Sequence, residues 1–156
     1  MQKQQAKTGA YGALELLMED HQKMRGLLER IRVSADQHEK LIFFEHLKHE
    51  VALHFSAEEM VLYPAVSEYD DLGEFVEDAY EEHLEINDLI DEISDAEDNG
   101  ETMEEDFEEL AESIECHVER EEDEFFVKAR KTLPSFELQR LAGLIEEVKR
   151  QGSKAA

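Results

Sequence analysis

The chain has 156 residues, with 41 acids against 16 bases and a formal net charge of -25. That length is one domain with room for a sizeable core, and 41% apolar residues exclude a disordered chain despite 37% charged ones. The charge leaves no basic face for nucleic acid or an anionic membrane, while the single Cys116 excludes an internal disulfide and fits a reducing, cytoplasmic setting.

Two Pro, seven Gly and no Trp favour long helices over a turn-rich sheet. The opening MQKQQAKTG offers no apolar stretch for a signal peptide, and no run of ~20 apolar residues predicts a membrane span. Residues 1–9 read as a flexible tail, 10–150 as the domain and 151–156 as a second flexible tail.

The first helical stripe is Leu14, Leu17, Met18, His21, Met24, Leu28 and Ile31, spaced by three and four residues. It ends near Ser34, where Asp36 and Glu39 can cap the next helix. The second stripe is Leu47, Val51, His54, Glu58, Val61 and Leu62, expected to stop or kink at Pro64. The third is Leu72, Val76, Ala79, His83, Ile86, Ile90 and Ile93, with Asp71 and Glu74 as its cap. Asn99-Gly100 breaks the pattern, and Thr102 with Glu105 reads as another capping box. The fourth stripe is Phe107, Leu110, Ala111, Ile114, His117, Val118, Glu121 and Phe125. After Pro134 comes a shorter fifth segment with Leu138, Leu141, Leu144, Ile145 and Val148. The expected fold is all-α, an up-down-up-down four-helix bundle with a short extra C-terminal helix.

Four of the seven histidines lie on these stripes, one per helix: His21, His54, His83 and His117. In an antiparallel bundle, residues at equal height are equidistant from the turn between them. The midpoints of successive pairs fall at Gln37–His38, near residue 68 just after Pro64, and on Gly100, each on or beside a turn signal. The four imidazoles are therefore expected in one core layer. His54 and His117 each have a glutamate four residues on, Glu58 and Glu121, on the same helix face. Burying two unpartnered carboxylates costs many kcal/mol, and Arg25 is the one inward-facing base the stripes supply. A metal is the simplest partner. Imidazole with carboxylate suits Fe, Mn or Zn, and six ligands exceed a closed tetrahedral Zn site. His38, His46 and His49 fall in a turn or off the stripe and read as boundary or surface residues, as does Cys116. The 27 acids and one base of residues 70–124 read as a solvated acidic face that also attracts cations.

The set Glu19-Asp20-His21, His54-Phe55-Ser56-Ala57-Glu58-Glu59 before Leu62-Tyr63-Pro64, Glu82-His83-Leu84-Glu85-Ile86 and His117-Val118-Glu119-Arg120-Glu121-Glu122 resembles the hemerythrin family, in its bacterial His-His-Glu cation-binding type, over about residues 11–131. The resemblance implies a four-helix bundle around a non-haem di-iron centre. His21, His54, His83 and His117 would be terminal ligands, and Glu58 and Glu121 would bridge two Fe ions together with an oxo or hydroxo group. A second third-helix histidine, which oxygen carriers of the family use, is here Asn87. Two coordination positions then stay open, with water, Asn87, Tyr80 or Glu50 as candidates to fill one.

The function this implies is binding of, or reaction with, O2, hydrogen peroxide or NO, in stress response or in oxygen or iron sensing through a partner protein. Catalase-like peroxide turnover, an iron-responsive or storage module without turnover, and a zinc-holding or structural acidic bundle stay open on the sequence alone.

Overall fold

The computed structural model describes residues 12–98, 100 and 104–155, and no strand occurs among them. The elements are α1 (Ala13–Val33), α2 (Gln37–Ala57), a π-turn over Glu58–Leu62, α3 (Tyr63–Val66), α4 (Asp70–Asp98), α5 (Glu104–Arg120), a second π-turn over Glu121–Phe125, α6 (Phe126–Thr132) and α7 (Ser135–Ala155). Each π-turn joins its neighbours without a break, so the described chain forms five long helical runs packed as a bundle. α1 packs on α2, α4 on α5, and α7 across α1, α2 and the first π-turn.

Local signals set most helix ends. Asp36 caps α2, its Oδ1 accepting from the His38 N–H at 3.0 Å. Glu39 does not close the expected box; it takes the Ser34 hydroxyl instead, at 3.3 Å. Glu15 reaches back to the Gly12 N–H at 2.8 Å at the start of α1. α4 begins at Asp70, a residue before the expected Asp71 cap, with Leu72 and Gly73 N–H groups bonding to the Tyr69 carbonyl. Gly100 supplies the turn at φ 74°. Thr102 of the expected capping box, and residues 1–9 of the expected tail, lie outside the described residues.

Pro64 does not stop the second run. Tyr63 stays right-handed helical at φ −61°, ψ −45°, its N–H bonding to the Glu58 carbonyl five residues back. The π-turn restarts the pairing, so Pro64 sits in the first turn of a fresh α segment, where its missing N–H is not needed. The second π-turn has the same geometry, Phe126 N–H to Glu121 carbonyl, and contains no proline. Pro64 is therefore accommodated by the π-turn and is not its cause. Both π-turns begin on a glutamate of the expected ligand set.

The apolar core is in two lobes. One gathers Leu14, Leu17, Leu62, Val76, Phe125 and Leu141; the other gathers Met24, Leu28, Phe44, Leu47, Ile86 and Ile114. Each of the four histidine-bearing runs passes from one lobe to the other at its histidine, so the imidazoles lie between them. Two stripe residues fall outside the core: Met18 and Leu144 are exposed. The C-terminal helix is not short. α7 has 21 residues, as many as α1, and stays helical through Ala155, across most of the stretch expected as a tail. Its first turns lie so close to α1 that a Cβ on Gly12 would meet the Leu138 Cβ at 3.1 Å.

Because α7 shares the first core lobe, Leu141→Ala should destabilise the protein by about 2–5 kcal/mol, as for a fully buried leucine. Urea unfolding followed by circular dichroism measures it; a loss near zero would make α7 a peripheral attachment.

Candidate metal centre

Six side chains converge between the lobes, and none is more than 2% exposed: His21, His54, Glu58, His83, His117 and Glu121. They are the six the sequence singles out. Within 4.8 Å of one another lie ligand atoms of His21, His54, Glu58 and Glu121 in one group and of Glu58, His83 and His117 in a second. Glu58 belongs to both.

The imidazoles are aimed from outside. Each Nδ1 faces a carboxylate of another helical run: His21 to Glu122 at 2.6 Å, His54 to Asp20 at 2.9 Å, His83 to Glu59 at 3.0 Å, and His117 to Glu82 at 3.3 Å. Such partners hold the proton on Nδ1 and turn the Nε2 lone pair inward. The Nε2 atoms meet in pairs, His21 with His54 and His83 with His117, both at 3.2 Å. A cation bound between them would displace the proton that His54 and His117 otherwise carry.

The glutamates span the two pairs. Glu58 Oε1 lies 3.2 Å from Nε2 of both His54 and His83. Glu121 Oε1 lies 3.1 Å from His21 Nε2 and 3.5 Å from His117 Nε2. Despite these distances, neither oxygen of the fully buried Glu58 receives a directed hydrogen bond. A buried carboxylate with both oxygens unsatisfied, surrounded by inward-facing imidazole nitrogens that can give up their protons, is the donor set a divalent or trivalent cation requires.

Three of the outer carboxylates are themselves held by cations: Asp20 by Lys149 of α7, Glu82 by Arg120 at 2.9 Å, and Glu122 by Arg25 at 3.3 Å. Arg25, the inward base expected from sequence, thus reaches Glu122 and not the central glutamates.

Tyr63, quoted in the Leu62-Tyr63-Pro64 piece but given no role from sequence, also belongs to the site. It is fully buried, and its hydroxyl donates to Glu121 Oε2 at 2.8 Å and lies 3.3 Å from His83 Nε2. In a continuous α-helix Tyr63 would point about 140° away from Glu58. The extra residue of the π-turn brings it back, and no local signal in the sequence marks a π-turn.

The three residues suggested for an open position stand elsewhere. Asn87 is exposed, Tyr80 is 37% exposed, and Glu50 lines an outer groove of about 530 Å³ between α1 and α2 with His46 and His49. Cys116 and His38 are exposed.

Burial works against charge throughout this layer, and the mutual contacts overcome it. Burial opposes the charge on His54, but the Glu58 carboxylate and the bond to Asp20 hold its pKa well above the usual imidazole value. Burial likewise opposes charge on His117, yet Glu121, Glu58 and Glu82 push it up to about 10. Burial would raise Glu58, and His54 beside it instead holds it well below the usual carboxylate range. Tyr63 is pushed well up by burial and then by Glu121 and Glu58, so its phenol keeps its proton.

The chain matches the Hemerythrin HHE cation binding domain over residues 12–129. It belongs to that family. This hemerythrin-like chain is also 26% identical over 121 residues to a DNA nickase of Nostoc sp. (strain PCC 7120 / SAG 25.82 / UTEX 2576), over 78% of its own length and 34% of the nickase. It therefore spans about a third of that relative. No solved structure matches it. Among the described residues no helix is long and apolar enough to cross a membrane.

The raised imidazoles set a pH dependence for the metal-free protein. His117 contributes stability that is full below its ordinary 6.5 and is lost as pH rises through about 10. His54 acts in the same direction. Thermal melts of chelator-treated protein should show the midpoint falling from pH 7 to pH 10, and saturating metal should flatten that slope. A metal-free midpoint unchanged over this range would contradict the charged-imidazole description.

Proposed function

We propose that this hemerythrin-like domain holds two iron ions and that its function is to bind or react with O2, hydrogen peroxide or NO. In this reading His21, His54, His83 and His117 would be terminal ligands, and Glu58 and Glu121 would be shared between the two ions. The observation that carries the reading is Glu58, buried and unsatisfied at both oxygens and shared between two clusters of inward nitrogens. The family is named for cation binding, and hard carboxylates with imidazoles suit iron. The up-down-up-down order belongs to the same proposal: Asp20 of α1 meets His54 of α2 and Glu82 of α4 meets His117 of α5, as antiparallel neighbours would.

When bound, the iron pair supplies redox and Lewis-acid chemistry toward small oxygen species. The protein's own residues do the rest. Asp20, Glu59, Glu82 and Glu122 orient the imidazoles. Tyr63 holds Glu121 Oε2 by a hydrogen bond and keeps one phenolic proton at the centre. Phe55 stacks on His83 at 3.6 Å and Phe126 on His21 at 5.7 Å, and these rings keep bulk water out. With every ligand nearly inaccessible, only small diatomic or peroxide-sized species fit as ligands. A cytoplasmic location and a role without nucleic acid belong to this reading too. The net charge of -25 opposes phosphate contact, so the nickase's named activity is not carried over to this chain.

The test is the metal content and absorption spectrum of protein from iron-replete cells, followed by peroxide addition. About two irons per chain with near-ultraviolet bands of oxo-bridged iron supports the reading, and oxygen release on peroxide addition makes the protein an enzyme. Zinc, or no metal, with a melting point indifferent to anaerobic iron, overturns it. His54→Ala and Glu58→Ala should each lose iron and lower the midpoint, since each leaves partners unsatisfied in the core. His46→Ala and His49→Ala, in the outer groove, should change neither quantity.

A further inference from the structure

The centre is walled by rings. Phe126 stacks on His21, Phe55 on His83, Phe125 lies 5.9 Å from Tyr63, and Phe75 stacks on Phe125 at 4.4 Å. A phenyl ring has no ionisable proton and resists one-electron oxidation, so these walls insulate. Tyr63 breaks the pattern. Its hydroxyl bonds to Glu121, and its ring meets that of Tyr80 edge-on, with centroids 5.5 Å apart and planes at 75°. Tyr63 is fully buried, whereas Tyr80 of α4 is 37% exposed. The pair therefore makes a continuous phenol-to-phenol contact from the central carboxylate to solvent. The sequence has no tryptophan and only four tyrosines, so two oxidisable rings in line through a phenylalanine wall is a specific juxtaposition.

We propose that Tyr63 and Tyr80 form a one-electron relay between the centre and the surface, through which a small reductant of the ascorbate class returns electrons to an oxidised centre. This rests on the di-iron reading. In the first step Tyr63 would give one electron to a centre that peroxide has oxidised, and its phenolic proton would pass along the 2.8 Å bond to Glu121 Oε2. In the second, Tyr63 takes an electron from Tyr80 and its proton back from Glu121, while the Tyr80 proton passes to water. In the third, the reductant gives one electron to Tyr80 at the surface, and water supplies the proton. The sum is one electron from reductant to iron, with both tyrosines restored.

The position of Tyr80 fits an electron port. Glu59 alone among the four outer carboxylates has no Lys or Arg ion pair among the described contacts, and it holds His83 on the side where Tyr80 lies one turn away. Tyr80 is thus reached from solvent without displacing an ion pair. With over a third of the side chain exposed, it can be replaced without opening a cavity.

The experiment uses full-length iron-loaded protein, wild type and the variants Tyr80→Phe, Tyr80→Trp and Tyr63→Phe, with iron per chain measured for each. Peroxide is added and samples are frozen at intervals for electron paramagnetic resonance, with and without ascorbate. The expected wild-type result is a tyrosyl radical that ascorbate quenches quickly. Tyr80→Phe should keep its iron and confine the radical to Tyr63, where ascorbate quenches it slower by an order of magnitude or more. Tyr80→Trp, oxidisable again, should restore fast quenching, which a packing role for Tyr80 would not do. Two irons per chain with no radical, or with Tyr80→Phe quenched at the wild-type rate, overturns the relay and leaves the di-iron reading standing. An iron-free wild type removes the electron acceptor and overturns both.

Discussion

Two carboxylates buried in the middle of an apolar bundle govern this structure. Glu58 and Glu121 are fully inaccessible, and a charge in such a place is tolerated only with close opposite partners. Every neighbouring choice answers that demand. Four imidazoles surround the glutamates, four carboxylates surround the imidazoles, and Lys149, Arg120 and Arg25 surround three of those carboxylates. The sign of charge alternates outward in shells. The arrangement also repeats along the chain: Asp20-His21, then His54 and Glu58-Glu59, is followed by Glu82-His83, then His117 and Glu121-Glu122. Within each half the acid before the first histidine holds the second, and across the halves the acid after each central glutamate holds a histidine of the other. Neither half can complete its own ligand orientation, which ties the two helical pairs together.

The π-turns show how the backbone serves the same demand. Each begins on a central glutamate and advances the helix by one extra residue before Pro64 or Phe126. The effect is rotational. Residues after the turn face a direction that an α-helix would give to their preceding neighbours, so Tyr63 joins the site face and Phe126 joins the core beside His21. π-turns recur at functional sites because they trade hydrogen-bond geometry for side-chain placement.

This explains what the sequence discloses and what it hides. The six converging side chains were legible because α-helical counting holds on every helix up to its glutamate, and because symmetric turns put the histidines at one height. Buried stripes such as Leu72 to Ile93 and Phe107 to Phe125 were legible for the same reason. Counting failed once a π-turn intervened, which hid Tyr63 and made Pro64 look like a stop. It failed at Met18 and Leu144, which satisfy the period but lie at the margin of their stripes. The outer carboxylates were quoted as part of a motif, yet their role depends on contacts between helices, which spacing within one helix cannot reveal. Asn87 falls where the resemblance implies a second third-helix histidine in oxygen carriers; here that face of α4 meets solvent.

The C-terminal helix shows why family membership alone does not describe the centre. The family match ends at residue 129, before α7 begins at Ser135. Yet α7 supplies Lys149, which bonds the nearly buried Asp20, which in turn orients His54. Burial pushes the Asp20 carboxyl up, and His54 and Lys149 together bring it below the usual range, so it stays an anion. Arg120 and Arg25 perform the same service for Glu82 and Glu122 from inside the matched region. One of the three cations that anchor the outer shell therefore comes from a helix beyond the family's span. The same helix closes the first core lobe through Leu138, Leu141 and Ile145. Packing of α7 and the aim of His54 are for that reason one structural requirement: whatever loosens this helix also frees Asp20, and with it the imidazole that points at Glu58.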